Sequence, residues 1–272
     1  GAGIAVVGMG LSVSVVLGAP LGTLLGQQLG WRYAFAAIAL LSVAALIGVR
    51  QWMPALPRAE RTPSPGSLAA AVFRPSFFLV LLTTVFGTGG IFAGFTYIAP
   101  ILERISGFSE SDVTVILLVF GAGSIIGNWL GGKWADRRLL PSLLGSLILL
   151  SVSMAAFAMA SPHKVAAVAA VFLWGIAAYL IMTPLNVRVM QKAQGAREIA
   201  STLNISAFNL GNALGAFLGG RILDSGLGLQ AVPWAASIVT LVGVLLAGWS
   251  ALLDRRRTAG EKAENRSGKV RL

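Results

Sequence analysis

Eight stretches of this chain, each at least 17 residues long, contain no Asp, Glu, Lys, Arg or His, and nothing else in the sequence restricts the fold as much. They run from Gly1 to Trp31, Tyr33 to Val49, Pro75 to Leu102, Val113 to Gly132, Leu139 to Pro162, Val165 to Val187, Ile199 to Gly220 and Ser225 to Leu253. A hydrocarbon layer about 30 Å thick is crossed by about 20 helical residues at about 1.5 Å each, so the runs have the length of membrane spans, the 17-residue one marginally. No water satisfies backbone N–H and C=O groups inside such a layer, so each run must close its hydrogen bonds as a helix. A chain that is 56% hydrophobic and 11% charged, with mean hydropathy +0.80, has too much apolar surface for a water-soluble core to hide. Of its 33 glycines, 28 fall within the apolar runs, which places them in helices rather than in low-complexity linkers.

The basic residues separate by side when the connectors alternate across the membrane. One side receives Arg50, Arg58, Arg61, Arg74, Lys133, Arg137, Arg138, Arg188, Lys192, Arg197 and the tail from Arg255 to Arg271. The other receives Arg32, Arg104, Lys164 and Arg221. The positive-inside rule makes the richer side, with the C-terminus, cytoplasmic. A net charge of +11 placed this way fits topology and anionic lipid headgroups, and a nucleic-acid partner is not expected. Cysteine is absent, which excludes disulfides and thiolate chemistry.

The segment from Gln51 to Arg74, with Pro54, Pro57, Pro63 and Pro65, is the one long polar connector and reads as a boundary between two helix bundles. A repeat agrees with that division. Leu17-Gly18, Leu21-Gly22 and Leu25-Gly26 recur as Leu210-Gly211, Leu214-Gly215 and Leu218-Gly219, 193 residues later and six spans apart. An even separation gives both copies one orientation, as parallel repeats of a six-helix unit require. Glycine at every fourth position also makes a smooth stripe for close helix packing, which accounts for the pattern without a repeat. If the seventh run is the fifth helix of one unit, the first run is the fifth helix of an earlier one. Four helices would then precede a chain that starts at Gly1, inside an apolar run.

Two motifs give a family resemblance. Gly18-Ala19-Pro20-Leu21-Gly22 is similar to the antiporter motif in the fifth helix of the major facilitator superfamily. Gly132-Lys133-Trp134-Ala135-Asp136-Arg137-Arg138 is similar to the family's short loop motif G-x-x-x-D-R in its C-terminal half. The stretches Tyr97-Ile98-Ala99-Pro100 and Gly107-Phe108-Ser109 resemble its bacterial drug and sugar efflux branch, the drug:proton antiporters.

The resemblance implies an all-α membrane protein with twelve helices in two bundles around a central cavity, working by alternating access. Eight would be present here. Residues 1–50 would be the last two helices of the first bundle, 51–74 the linker, 75–253 the second bundle and 254–272 a basic cytoplasmic tail. It further implies a monomer in the bacterial inner membrane, a small-molecule substrate, proton coupling and no cofactor. All ten acidic residues fall at connectors or span ends, so the coupling carboxylate is expected in the preceding helices, with Glu103 and Asp112 the nearest substitutes.

Polar and aromatic side chains recur at helical spacing inside four spans. They are Thr84, Thr88, Phe92 and Phe95 in the third, Ser124 and Asn128 in the fourth, Tyr179, Thr183 and Asn186 in the sixth, and Asn204, Phe208 and Asn212 in the seventh. An amide is costly in lipid unless it is bonded, so these faces either line a cavity or tie helices together. In the family the corresponding helices line the cavity. Asp136, with Arg137, reads either as a latch between helices or as a solvated cluster that fixes topology. Trp52, Trp134 and Trp234 read as interfacial anchors. The only histidine, His163, sits in a Ser-Pro-His-Lys turn, and no catalytic constellation or metal-ligand set is present, so an enzyme is not expected. A sugar or nucleoside carrier of the same fold, and a membrane protein that transports nothing, are the alternatives.

Overall fold

The computed structural model describes residues 14, 17, 18, 20–52, 75–193 and 197–269, with side chains at 197–199 and 255–269 left aside. All regular structure among them is helical. A helical stretch at 20–29 is followed by α1 (Trp31–Trp52), α2 (Pro75–Phe95), α3 (Ile98–Arg104), α4 (Glu110–Arg137) and α5 (Leu139–Ala160). Next come α6 (Lys164–Leu180), α7 (Met182–Lys192), α8 (Arg197–Asp224) and α9 (Ala231–Lys269). Six segments among the described residues are long and apolar enough to cross a bilayer: α1, α2 with α3, α4, α5, α6 with α7, and the Ala231–Asp254 part of α9. The first expected span lies mostly outside the described residues. The seventh is α8, whose 28 residues suffice in length but whose Asn and Ser content lowers its hydropathy.

Two of the expected spans are broken rather than continuous. The third bends at Thr96 and Tyr97, where the Tyr97 hydroxyl donates to Ala216 O at 3.0 Å and ties the bend to α8. The sixth breaks at Ile181, three residues before Pro184. Proline has no N–H, so Leu180 O loses its helical donor. Gly131 of α4 covers that carbonyl so closely that a Cβ there would lie 2.5 Å from it.

Glycines set the helix contacts. On α4, a Cβ at Gly123 would lie 2.5 Å from Phe172 O, and one at Gly127 would overlap Ile176 O. Gly175 of α6 meets Phe120 O in the same way. Gly211 and Gly215 of α8 press on the backbone of α2 around Val85 and Gly89, and Gly90 of α2 presses on Ala236 of α9. Small residues that admit backbone-to-backbone contact are how helices associate where lipid gives no hydrophobic drive. The second copy of the Leu-Gly repeat is thus a packing surface. The first differs, since Gly18, Gly22 and Gly26 have nothing within 4 Å of a Cβ position.

The helices from α2 to α9 enclose a core built on Trp174, Phe157, Leu147, Leu150 and Met154, all 0% exposed. The outside is apolar too, with Trp129, Phe217, Ile238 and Leu245 each more than 60% exposed. A molecule apolar on both its inner and outer surfaces has lipid as its solvent. No residue of α1 is buried, and the 20–29 stretch reaches α4 through Gln27, whose side chain donates to Glu110 O at 3.3 Å.

Charge placement departs from the sequence reading at Arg188. Counted as a connector residue because an apolar run stops at the first charge, it lies inside the helical body of α7 and is 5% exposed. Its guanidinium pairs with Asp254, which also receives Lys192, and donates to Ser250 Oγ at 3.2 Å. A cation neutralised in this way need not mark a span end. Asp112 is likewise structural: its carboxylate accepts from Ser109 N at 3.1 Å while its own N–H donates to Ser109 Oγ at 3.3 Å, a reciprocal cap at the start of α4. The expected linker beyond Trp52 lies outside the described residues. The backbone of the expected tail continues α9 as helix to Lys269.

Candidate functional site

A cavity of about 510 Å3 lies where α2, α4, α6, α7 and α8 diverge. From α2 it is lined by Ile91, Phe92 and Phe95, and from α4 by Phe120, Ser124, Ile125 and Asn128. Tyr179 of α6 faces it beside Met182, Thr183 and Asn186 of α7, and α8 contributes Asn204, Ile205 and Phe208. The break at Ile181 falls within this wall. Ile125, Asn128, Asn186 and Ile205 are exposed, so the cavity opens to the surface on their side.

One wall is aromatic. Phe92 makes edge contacts with Phe95 and Phe208 at centroid separations of 6.1 and 5.9 Å, and Phe95 lies 5.0 Å from Phe120. Behind them Trp174 contacts Phe95, Phe120 and Phe157, which fixes the rings from the core side. The polar groups of the lining are uncharged: among the described residues no Asp, Glu, Lys, Arg or His lines the cavity.

The polar groups divide into satisfied and free. Thr84 Oγ1 donates to Asn204 Oδ1 at 2.8 Å, Asn204 Nδ2 donates to Asn186 Oδ1 at 2.7 Å, and Asn186 Nδ2 donates to Met182 O at 3.1 Å. This relay joins α2, α8 and α7 beside the cavity. Ser124 Oγ donates to Gly121 O at 2.6 Å. By contrast, the side chains of Asn128, Tyr179 and Thr183 make no hydrogen bond among the described residues.

Three of the residues singled out from the sequence are not in the lining. Thr88 is fully buried against α8, bonded to Thr84 O at 2.8 Å and 3.4 Å from Phe208 O. Thr84 reaches the cavity only through Asn204. Both face α8 because Gly211 brings the two backbones together at their level. Asn212, two turns beyond Asn204, has a buried Oδ1 without a partner. Helical spacing missed Ile91, Phe120, Ile125, Met182 and Ile205, since an apolar cavity wall and an apolar core have the same sequence signature.

The two motifs sit elsewhere. Asp136, Arg137 and Arg138 are exposed at the end of α4, and Asp136 makes no ion pair among the described residues. The connector to α5 is Arg138 alone. Gly132 has nothing within 4 Å of a Cβ position. Gly18, Pro20 and Gly22 belong to the N-terminal helical residues, away from the cavity lining, while Ala19 lies outside the described residues.

Comparison with known proteins agrees with this architecture. The inner membrane transport protein YdhP of Escherichia coli K12 is 40% identical over 243 residues, which cover 89% of this chain and 62% of that protein. A chloramphenicol resistance protein of Streptomyces lividans is 33% identical over 250 residues, covering 91% of this chain and 64% of its own length. The chain therefore spans less than two thirds of these relatives. A crystal structure of a bacterial homologue of the lysosomal transporter Spinster, inward-facing and unoccupied, matches with a TM-score of 0.60 at 17% identity, covering 91% of this chain and 70% of that one. That likeness shows the fold. The model of the Major Facilitator Superfamily matches residues 1–204, and with its helical, multi-pass membrane architecture the chain belongs to that family of carriers rather than to any class of enzyme.

Proposed function

We propose that this chain forms part of a proton-coupled secondary transporter that expels small amphipathic molecules by alternating access. The observation that carries the reading is the cavity itself, which combines aromatic rings with a few neutral polar groups. Such a lining buries the apolar body of a ligand while a few polar groups orient it. The chloramphenicol resistance protein among the relatives supports efflux over uptake. A sugar or nucleoside would need more hydrogen-bonding partners than this wall holds.

Coupling to protons needs a group that titrates inside the membrane. Among the described acids, Glu110 and Asp112 stand exposed at the start of α4, Glu103 lies at the end of α3, and Asp254 is held by Arg188 and Lys192. None of these four is assigned the coupling role. The protein is read as a monomer of the bacterial inner membrane with its C-terminus in the cytoplasm. Gly18, Pro20 and Gly22, with Gly132, Asp136 and Arg137, are assigned to contacts between bundles during the transport cycle, and the twelve polar and aromatic candidates to the cavity and its supports.

The test is accumulation of radiolabelled chloramphenicol in cells that express the protein, with and without an uncoupler. Lower accumulation on expression, abolished by the uncoupler, is expected. Accumulation that is raised by expression, or lowered equally with the uncoupler present, would refute proton-driven efflux.

A further inference from the structure

The polar groups of the cavity divide into two sets. Asn204 is 6% exposed, and its carboxamide already bridges Thr84 and Asn186. Asn186 spends its oxygen on Asn204 and an N–H on Met182 O. These groups are fixed to one another across α2, α8 and α7. The groups unengaged among the described residues are the Tyr179 hydroxyl, the Thr183 hydroxyl and the Asn128 carboxamide. Tyr179 and Thr183 are four residues apart across the Ile181 break, and Asn128 lines the same cavity from α4.

Each free group both donates and accepts, and none carries charge. An anion docked here would lose its water and meet no counter-charge, and a cation would have only ring faces and neutral dipoles in place of its water, which repay that loss in part. A hydroxyl or amide on the ligand can instead exchange its water bonds for bonds of both senses. An aromatic body attached to it would lie on Phe92, Phe95, Phe120 and Phe208, where edge and offset ring contacts add to burial.

We propose that this cavity selects an uncharged ligand by a hydroxyl or amide group bound at Tyr179, Thr183 and Asn128, while Thr84 is a positioning residue that holds Asn204, and through it Asn186, and does not touch the ligand. The proposal rests on reading the cavity as the transport site. It assigns the polar contacts to three residues and removes Thr84 from them, although sequence spacing gives all four the same standing.

The experiment is equilibrium binding to the protein in nanodiscs with three probes. Chloramphenicol is neutral, with a nitrophenyl ring, two hydroxyls and an amide. Its succinate half-ester keeps the ring and adds a negative charge. Tetraphenylphosphonium is an aromatic cation. The wild type is expected to bind chloramphenicol at least tenfold more tightly than either charged probe. Tyr179→Phe, Thr183→Val and Asn128→Leu are each expected to weaken chloramphenicol about three- to tenfold, the size of one lost hydrogen bond. Thr84→Val is expected to lower the thermal midpoint while the preference for chloramphenicol over tetraphenylphosphonium stays unchanged. Tyr179→Phe keeps the ring and its packing, so it reads the hydroxyl without a folding defect.

Equal or tighter binding of tetraphenylphosphonium to the wild type would overturn the selection for neutral ligands. Unchanged chloramphenicol affinity in all three variants, or a selectivity lost in Thr84→Val, would overturn the division of roles. No binding of any probe to the wild type would instead overturn the reading of the cavity as the transport site.

Discussion

Alanine at Gly131 and alanine at Gly132 are expected to change stability in opposite directions, although the two residues are neighbours on one helix. A Cβ at Gly131 would lie 2.5 Å from Leu180 O and 3.2 Å from the carbonyl carbon and Cα of Leu180, all of them backbone. Ordinary contact begins near 3.4 Å, so α4 and α6 would have to part by about 0.9 Å. That movement loosens the whole seam in which Gly123 and Gly127 meet Phe172 and Ile176. Overpacking costs about 1–3 kcal/mol, and a clash with backbone, which cannot swing aside, falls in the upper half of that range, about 2–3 kcal/mol. Alanine recovers about 1 kcal/mol relative to glycine through its helix preference, which leaves a net loss of about 1–2 kcal/mol. Gly132 has nothing within 4 Å, so its alanine keeps the gain without the clash. The two variants should therefore differ by about 2–3 kcal/mol. Purified in one detergent and unfolded thermally, they should differ in midpoint by about 4–12 °C, with Gly131→Ala the lower, since about 1 kcal/mol moves the midpoint of a chain this size by about 2–4 °C. Equal midpoints, or Gly132→Ala unfolding first, would show that backbone contact at Leu180 does not set the helix spacing.

Two further predictions concern single interactions. Asp254→Ala leaves Arg188 buried with only Ser250 as partner and should cost about 2–3 kcal/mol, below the usual range for a broken buried pair because Asp254 is 20% exposed; pairing it with Arg188→Met should restore most of the loss in the same thermal assay. Tyr97→Phe removes the bond to Ala216 O and should cost about 1 kcal/mol, so an unchanged midpoint would mean that the bend at Thr96 is held by packing alone.

The fold was legible because the lipid constraint is strict: long runs without charge have one way to satisfy their backbone. The runs marked most of the helices, and the Leu-Gly periodicity of the seventh marked the surface that meets α2. What it could not mark was interruption. Pro184 and Pro100 stand inside apolar runs, and whether a proline ends a helix or only bends it depends on what covers the freed carbonyl, here Gly131 for Leu180. Arg188 was misplaced for a related reason, since its counter-charge lies 66 residues away in sequence. For the cavity, spacing placed Tyr179, Thr183 and Asn186 on one face, and Asn204 with Phe208 on another. It could not tell Thr88 from Phe92, one turn apart on α2, because only the approach of Gly211 decides which of them meets a helix and which meets space.

The passage from α4 to α5 takes one residue, Arg138, in an extended conformation with φ −151° and ψ 89°. Helices of 28 and 22 residues therefore fold back on each other with no slack between them. A single residue spans no more than about 3.6 Å, so the end of α4 and the start of α5 must lie at the same depth in the bilayer. The three charges Asp136, Arg137 and Arg138 then share one edge of the membrane at the tip of the hairpin. Lengthening that tip with a flexible insert would let the two helix ends settle at different depths, which makes the brevity of the turn the gauge that keys one helix to the other.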